Sequence, residues 1–208
     1  MSKKKKLAIA GATGFIGSRL VDALIKKGYN VTSLVREGKE GNSKSNIIYG
    51  DLTDEKIDFK DLKFDCVFHL ASHTPLEKNK KILQKVNLDG TKKLFEEIKG
   101  ITNSIIYISG LGVYGETGDK IIDETQKYNP NTNFVKIRLD AEKYLKENSL
   151  KNKIDFAVVH FGDVYGSDGW FYEMLINRLK KNTFRMPAGG DYFKGFVHVD
   201  DAVGSMIS

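Results

Sequence analysis

At 208 residues, 40% of them hydrophobic, the chain is long enough for one domain with a sizeable core, and no apolar run approaches the length of a membrane span. A single cysteine, Cys66, excludes an internal disulfide or a cysteine-built metal centre, and His69, His73, His160 and His198 lack paired ligand spacing, so no metal is expected. The net charge of +6 comes from a lysine run, Lys3 to Lys6, and from lysines scattered among glutamates, a pattern that suits phosphorylated ligands and gives no reason to expect nucleic acid or a membrane as partner.

Residues 7–10 read as a short buried strand that runs into Gly11, Gly14 and Gly17. Ile16, Leu20, Ala23 and Leu24 then follow at helical spacing until Gly28 stops the helix. Strand, glycines and helix in this order form a dinucleotide cradle: Gly11 for the tight reversal, Gly14 for close approach to a pyrophosphate, and Gly17 for packing of helix on strand. The phosphates would meet the free N–H groups and positive end of the helix. The segment before the strand, residues 1–6, has no apolar secretory signal, and with the lone cysteine it makes a cytoplasmic home the expectation.

Residues 29–35 form a second strand, with Arg36 just beyond it. An acidic side chain there would bind the adenosine ribose, whereas an arginine pairs with a 2′-phosphate, so NADP is expected over NAD unless Arg36 is an ordinary solvated loop residue. A third strand, 47–49, ends in Gly50, Asp51 and Leu52; Asp51 either meets the adenine or caps the next turn. A fourth strand, 66–70, precedes Ala71 and Ser72, small enough for a cofactor to pass over. A helix is predicted over 79–99, carrying Asn87 among apolar residues, where a structural bond to neighbouring backbone is its first reading and a site role its second. A strand over 104–109, a glycine-rich loop over 110–115, a helix over 133–147 and a strand over 156–160 complete a doubly wound, mostly parallel α/β sheet.

The segments GATGFIG (11–17), GDL (50–52), HLAS (69–72), NLDGT (87–91), YISGLGVYG (107–115), LDAEKYL (139–145), HFGDVYG (160–166) and FVHVDD (196–201) together resemble the extended short-chain dehydrogenase/reductases, the NAD(P)-dependent epimerase/dehydratase family. The resemblance implies a Rossmann-type domain over residues 1–208, with Thr13, Phe15 and Ile16 lining the phosphates and Asp51 and Leu52 the adenine. Leu70, Ala71, Ser72 and Asn87 would lie on the cofactor side of the cleft, and Phe161, Gly162 and Val164 would approach the nicotinamide. It also implies a small-molecule substrate such as a nucleotide sugar, and a homodimer built on the two long helices. From about residue 165 a substrate-binding region is expected to begin, most of it missing where the chain stops at Ser208.

The family's usual Ser or Thr, Tyr and Lys fall here on Gly110, Phe134 and Arg138. Neither glycine nor phenylalanine has a hydroxyl, and arginine holds its proton, though Arg138 can still bind ribose or phosphate. Ser109, Tyr114 and Tyr165, with His160 and Asp163, are the candidate substitute groups, each with a packing role as its alternative. Two readings follow: an NADP-linked oxidoreductase or epimerase with a non-standard catalytic set, or a cofactor-binding sensor, regulator or structural subunit without turnover.

Overall fold

Leu7, Ala8, Ile9 and Ala10 are all buried, and they make up most of β1 (Lys6–Ala10), the strand from which the sheet extends in both directions. The computed structural model describes residues 4–59, 62–191 and 193–208. Alternate side chains of β1 serve opposite faces, Leu7 and Ile9 entering one apolar layer and Ala8 and Ala10 the other. With both faces covered the strand has no polar side, which is why an unbroken apolar run marks it in the sequence.

β2 (Asn30–Val35) and β4 (Cys66–His69) flank β1, and β3 (Asn46–Tyr49), β5 (Ser104–Gly110) and β6 (Asp155–Phe161) complete a six-stranded sheet in the order β3-β2-β1-β4-β5-β6. Every pairing is parallel. Chain order therefore reverses direction at β1, and the crevice at this switch point is where such sheets bind ligands.

α1 (Phe15–Lys26) lays Leu20, Val21 and Leu24 on the Leu7/Ile9 face. The opposite face carries a continuous helix in three parts: α2 (Lys80–Leu83), a π-helical segment (Gln84–Asp89) and α3 (Gly90–Ile98). The π turn is a departure from the single regular helix expected over 79–99, and it holds Asn87. α4 (Asn133–Lys151) packs beside it through Ile137, Ala141 and Leu145, and runs further than expected, its start capped by the Thr132 hydroxyl accepting from the Val135 amide. The glycine-rich loop at the end of β5 winds into a 3₁₀ turn, Leu111–Tyr114.

Beyond β6 the chain forms a two-stranded parallel sheet not foreseen in the sequence, β7 (Asp163–Tyr165) with β8 (Phe196–His198). Between them lie α5 (Gly169–Phe171), a π-helical segment (Tyr172–Ile176) and α6 (Asn177–Lys180). α7 (Val199–Ile207) returns to the main sheet and packs Val203 and Met206 beside α1. Cys66 is half-buried against this layer, and burial pushes its thiol pKa up. Among the described residues no helix is long and apolar enough to cross a membrane, and no cluster of three or more potential ligands could hold a metal.

Candidate functional site

The carboxyl ends of β1 to β6 converge on a long cleft with two lobes, which share Gly11, Gly14, Leu70 and Ser72 as their common floor. The floor is fixed by backbone contact. Gly11 has a φ of +92°, and a Cβ there would lie 2.7 Å from the Ala71 amide nitrogen. At Gly17 a Cβ would lie 2.0 Å from the Gly11 carbonyl oxygen, so α1 can start this close to the turn only without a side chain.

The first lobe, about 300 Å³, is bounded by Thr13, Arg36, Lys39, Asp51 and Leu52, with Ala71 and His73 opposite. Arg36 reaches to 4.0 Å from an Asp51 carboxylate oxygen and is largely exposed. Burial raises the Asp51 pKa, but hydrogen bonds from the Thr53 hydroxyl and amide, together with Arg36, outweigh it and hold the carboxyl below its ordinary value. Asp51 therefore does cap the following turn, through the oxygen bonded to Thr53, while it also lines the cleft.

The second lobe, about 350 Å³, takes in Phe15, Ile16 and Gly17 on one side and Ser109, Gly110, Phe134, Arg138, Phe161, Gly162, Val164 and Trp170 on the other. Arg138 Nη1 donates to Ser72 Oγ at 3.2 Å and Nη2 to the Ile108 carbonyl, with the guanidinium 5.7 Å from the centroid of the Phe134 ring. Two buried side-chain nitrogens of this lobe, Arg138 Nε and Trp170 Nε1, lack a partner among the described residues. Unsatisfied groups gathered in one cleft point to a ligand that supplies acceptors.

Behind this wall is a partly buried polar network. Ser109 and His160 are register partners on β5 and β6, and α4 lowers Glu142 onto them. His160 Nε2 pairs with Glu142 at 2.9 Å, Tyr128 donates to the other carboxylate oxygen at 2.6 Å, and the Tyr114 hydroxyl lies 3.2 Å from His160 Nδ1. Burial pushes the Glu142 pKa up, but the hydrogen bonds from His160, Tyr128 and Ser109 bring it below its ordinary value. Burial and the Glu142 charge raise the Tyr114 pKa.

Sequence and structure part at specific residues. Asn87 takes its first reading, a structural bond to backbone, and not a place in either lobe: its side chain accepts from the His73 amide at 2.7 Å and donates to the His73 carbonyl at 3.2 Å, fixing the loop that walls the cleft. Tyr114 turns away from the cleft into the buried network, and Tyr165 packs on Phe171 and His198, 40% exposed, so neither candidate hydroxyl lines the reaction lobe. Asp163 does line it, paired with Lys194. Lys39 and Trp170 were not singled out in the sequence. A lysine three residues past Arg36 was a usable signal; the lone tryptophan in a segment without periodicity gave none.

The profile of the NAD dependent epimerase/dehydratase family matches residues 7–207. A provisional UDP-glucose 4-epimerase of Methanocaldococcus jannaschii is 28% identical over 215 residues, covering 94% of this chain and 70% of its own. The decarboxylating sterol-4-alpha-carboxylate 3-dehydrogenase of Mus musculus is 27% identical over 212 residues, covering 98% of this chain, which spans only 58% of that enzyme. Among solved structures, MoeE5 in complex with UDP-glucose and NAD superposes with a TM-score of 0.78 at 26% identity, over 98% of this chain and 70% of that one.

Proposed function

This chain belongs to the NAD dependent epimerase/dehydratase family, and from that premise we propose that it binds a nicotinamide dinucleotide along the cleft and a nucleotide sugar at its far lobe, as an NADP-linked epimerase- or oxidoreductase-type enzyme. The carrying observation is the shared floor of Gly11, Gly14, Leu70 and Ser72, which joins a lobe flanked by Arg36 and Lys39 to one flanked by Ser109 and Arg138. The first lobe suits an adenosine with a 2′-phosphate, because two cations and no carboxylate but Asp51 face it. The second suits the nicotinamide and the sugar, and the bound cofactor supplies hydride transfer there. MoeE5, captured with UDP-glucose and NAD, supports a dinucleotide and a nucleotide sugar sharing one cleft, while the choice of NADP rests on Arg36 and Lys39.

Within this reading Ser109 is the hydroxyl nearest in sequence to the missing catalytic one, and it lines the second lobe. Phe134 and Arg138 favour a second reading, a protein that keeps its dinucleotide without turning over substrate, since the expected proton donor is absent from a wall that is otherwise intact. Under the second reading, Phe134→Tyr with Arg138→Lys leaves nucleotide binding and cellular function unchanged; under the first, turnover with a sugar nucleotide is detectable and Ser109→Ala reduces it.

Calorimetric titration of NADP⁺ and NAD⁺ tests the cofactor. NADP⁺ is expected to bind more tightly, and Arg36→Ala to weaken it by roughly tenfold to a hundredfold, the worth of a charge-assisted phosphate contact, while leaving NAD⁺ nearly unchanged. Equal affinities unaffected by Arg36→Ala would replace NADP with NAD in this assignment.

A further inference from the structure

The lysine run that opens the chain is gathered by the fold into one place. Lys4, Lys5 and Lys6 lead into β1 at the amino edge of the main sheet, the edge opposite the cleft, and line a recess of about 350 Å³ there. Lys63, shortly before β4, and Lys99, at the end of α3, complete its rim. Lysines from three separate stretches of chain therefore converge where Asp65 is the only carboxylate among the described lining residues. One Asp65 oxygen accepts from the Lys6 amide at 2.6 Å, and Lys99 pairs with Glu96 at 2.5 Å. Lys4, Lys5, Lys6 and Lys63 have no ion pair among the described residues.

This differs from an ordinary solvated face. On α3 and α4 lysines alternate with glutamates along one helix, where their charges offset one another. At the recess the backbone fixes where the uncompensated side chains start. The Asp65 amide donates to the Lys6 carbonyl at 2.8 Å and the Phe64 amide to the Ile101 carbonyl at 2.7 Å, which stitches residues 6, 63 and 99–103 around one hollow. The Asn103 side chain, also on the lining, has no partner among the described residues and adds a neutral donor. α3 presents its carbonyl end here, which by itself repels an anion, and Lys99 at its C-cap offsets that end. Gathering like charges costs free energy that a polyvalent anion recovers. Linked phosphates offer an oxygen to each ammonium group in turn, which a single small anion does not.

We propose that this recess is a second anion site, which takes linked phosphates, either free polyphosphate or the triphosphate tail of a nucleotide, independently of the cleft. From Lys6 to Ala10 the four steps of β1 span roughly 13 Å, so the recess and the glycine turn lie at opposite ends of the strand and are filled separately.

Calorimetric titration of sodium tripolyphosphate into the full chain at low ionic strength, with orthophosphate and sulfate at matched ionic strength beside it, tests the assignment. One tripolyphosphate per chain is expected, bound about tenfold or more tightly than either small anion and weakened as salt rises, because the lysines are exposed. Lys5→Gln with Lys63→Gln should lower that affinity about tenfold or more, Lys5→Arg with Lys63→Arg should keep it, and Arg36→Ala, at the other edge of the sheet, should leave it unchanged. Both lysines are exposed, so melting curves should show the double variants folded. ATP that matches tripolyphosphate would assign recognition to the phosphates alone, and ATP that exceeds it would make a nucleotide their source; either result supports the site. Tripolyphosphate bound no better than sulfate, or binding indifferent to Lys5→Gln with Lys63→Gln, would overturn the proposal. So would a loss in Arg36→Ala, which would move the anion to the cleft, or a single-stranded oligonucleotide bound more tightly than tripolyphosphate and ATP, which would make the recess part of a nucleic-acid surface.

Discussion

Replacing Gly17 by alanine isolates the contact on which the cradle depends. The added Cβ would fall 2.0 Å from the Gly11 carbonyl oxygen, 2.8 Å from its carbonyl carbon and 3.2 Å from the Ala12 Cα, all backbone atoms that cannot rotate aside. Alanine within a helix gains about 1 kcal/mol over glycine, but forcing apart packed backbone typically costs about 1–3 kcal/mol and here belongs at or above the upper end. The net loss is about 2 kcal/mol, which for a chain of this size lowers Tm by about 4–8 °C. Function should suffer more than stability. Gly11 O accepts the Gly14 amide at 3.0 Å, so moving it reshapes the turn that would hold the pyrophosphate, and dinucleotide affinity should fall at least about tenfold. Gly204→Ala is the control: it lies in α7 with no atom within 4 Å of its would-be Cβ, so the same substitution should stabilise by about 0.5–1 kcal/mol and leave binding alone. Calorimetry of both variants, melting and titration together, decides the matter. A Gly17→Ala protein that melts and binds like its parent would refute the close-packing argument.

Other consequences concern titratable groups in the core. The Thr91 hydroxyl donates to the Asn87 carbonyl at 2.8 Å, so it can only accept from His69 Nε2 at 2.8 Å, and His69 Nδ1 is left bare in the core. Complete burial, with the Arg138 charge beside it, pushes the His69 pKa from 6.5 down to about 3. The unfolded chain therefore takes up a proton that the folded one refuses; stability from this group is intact above pH 6.5 and falls by about 1.4 kcal/mol per unit down to about pH 3. His69→Gln should flatten urea-unfolding stability across that window, and an unchanged slope would contradict the assignment. Glu142→Ala should cost about 1–3 kcal/mol by leaving the half-buried His160 Nε2 without its acceptor, and a loss under about 0.5 kcal/mol in denaturant unfolding at neutral pH would show the network to be weak. Because the Glu142 pKa is lowered on folding, its contribution is present above the ordinary carboxylate range and disappears as pH falls through the lowered value, so Glu142→Ala should be less acid-sensitive than its parent.

What could be read from the sequence divides along a physical line. The β1 strand, Gly11 and α1 are contiguous, and each of their constraints acts within a few residues, so the run of apolar side chains and the glycine spacing carry the whole arrangement. The same locality places Arg36, Asp51 and Ser72 at strand ends, because in a parallel sheet every carboxyl end lies on one edge. Side-chain direction beyond a strand end is another matter. Ser109 and Tyr114 lie five residues apart in one glycine-rich stretch, yet the 3₁₀ turn at Leu111–Tyr114 sends the tyrosine into the core while Ser109 keeps to the cleft wall. What draws the tyrosine inward is His160, 46 residues away, held in turn by Glu142, a residue not singled out in the sequence. Asn87 likewise serves His73 across 14 residues and a π turn that no periodicity announces. The setting of Arg138 is the least local property of all: its guanidinium bonds to Ser72 and to the Ile108 carbonyl, residues that only the parallel sheet brings to one edge beneath α4. The reaction lobe is therefore shaped as much by partners distant in sequence as by the residues that stand at the usual catalytic positions.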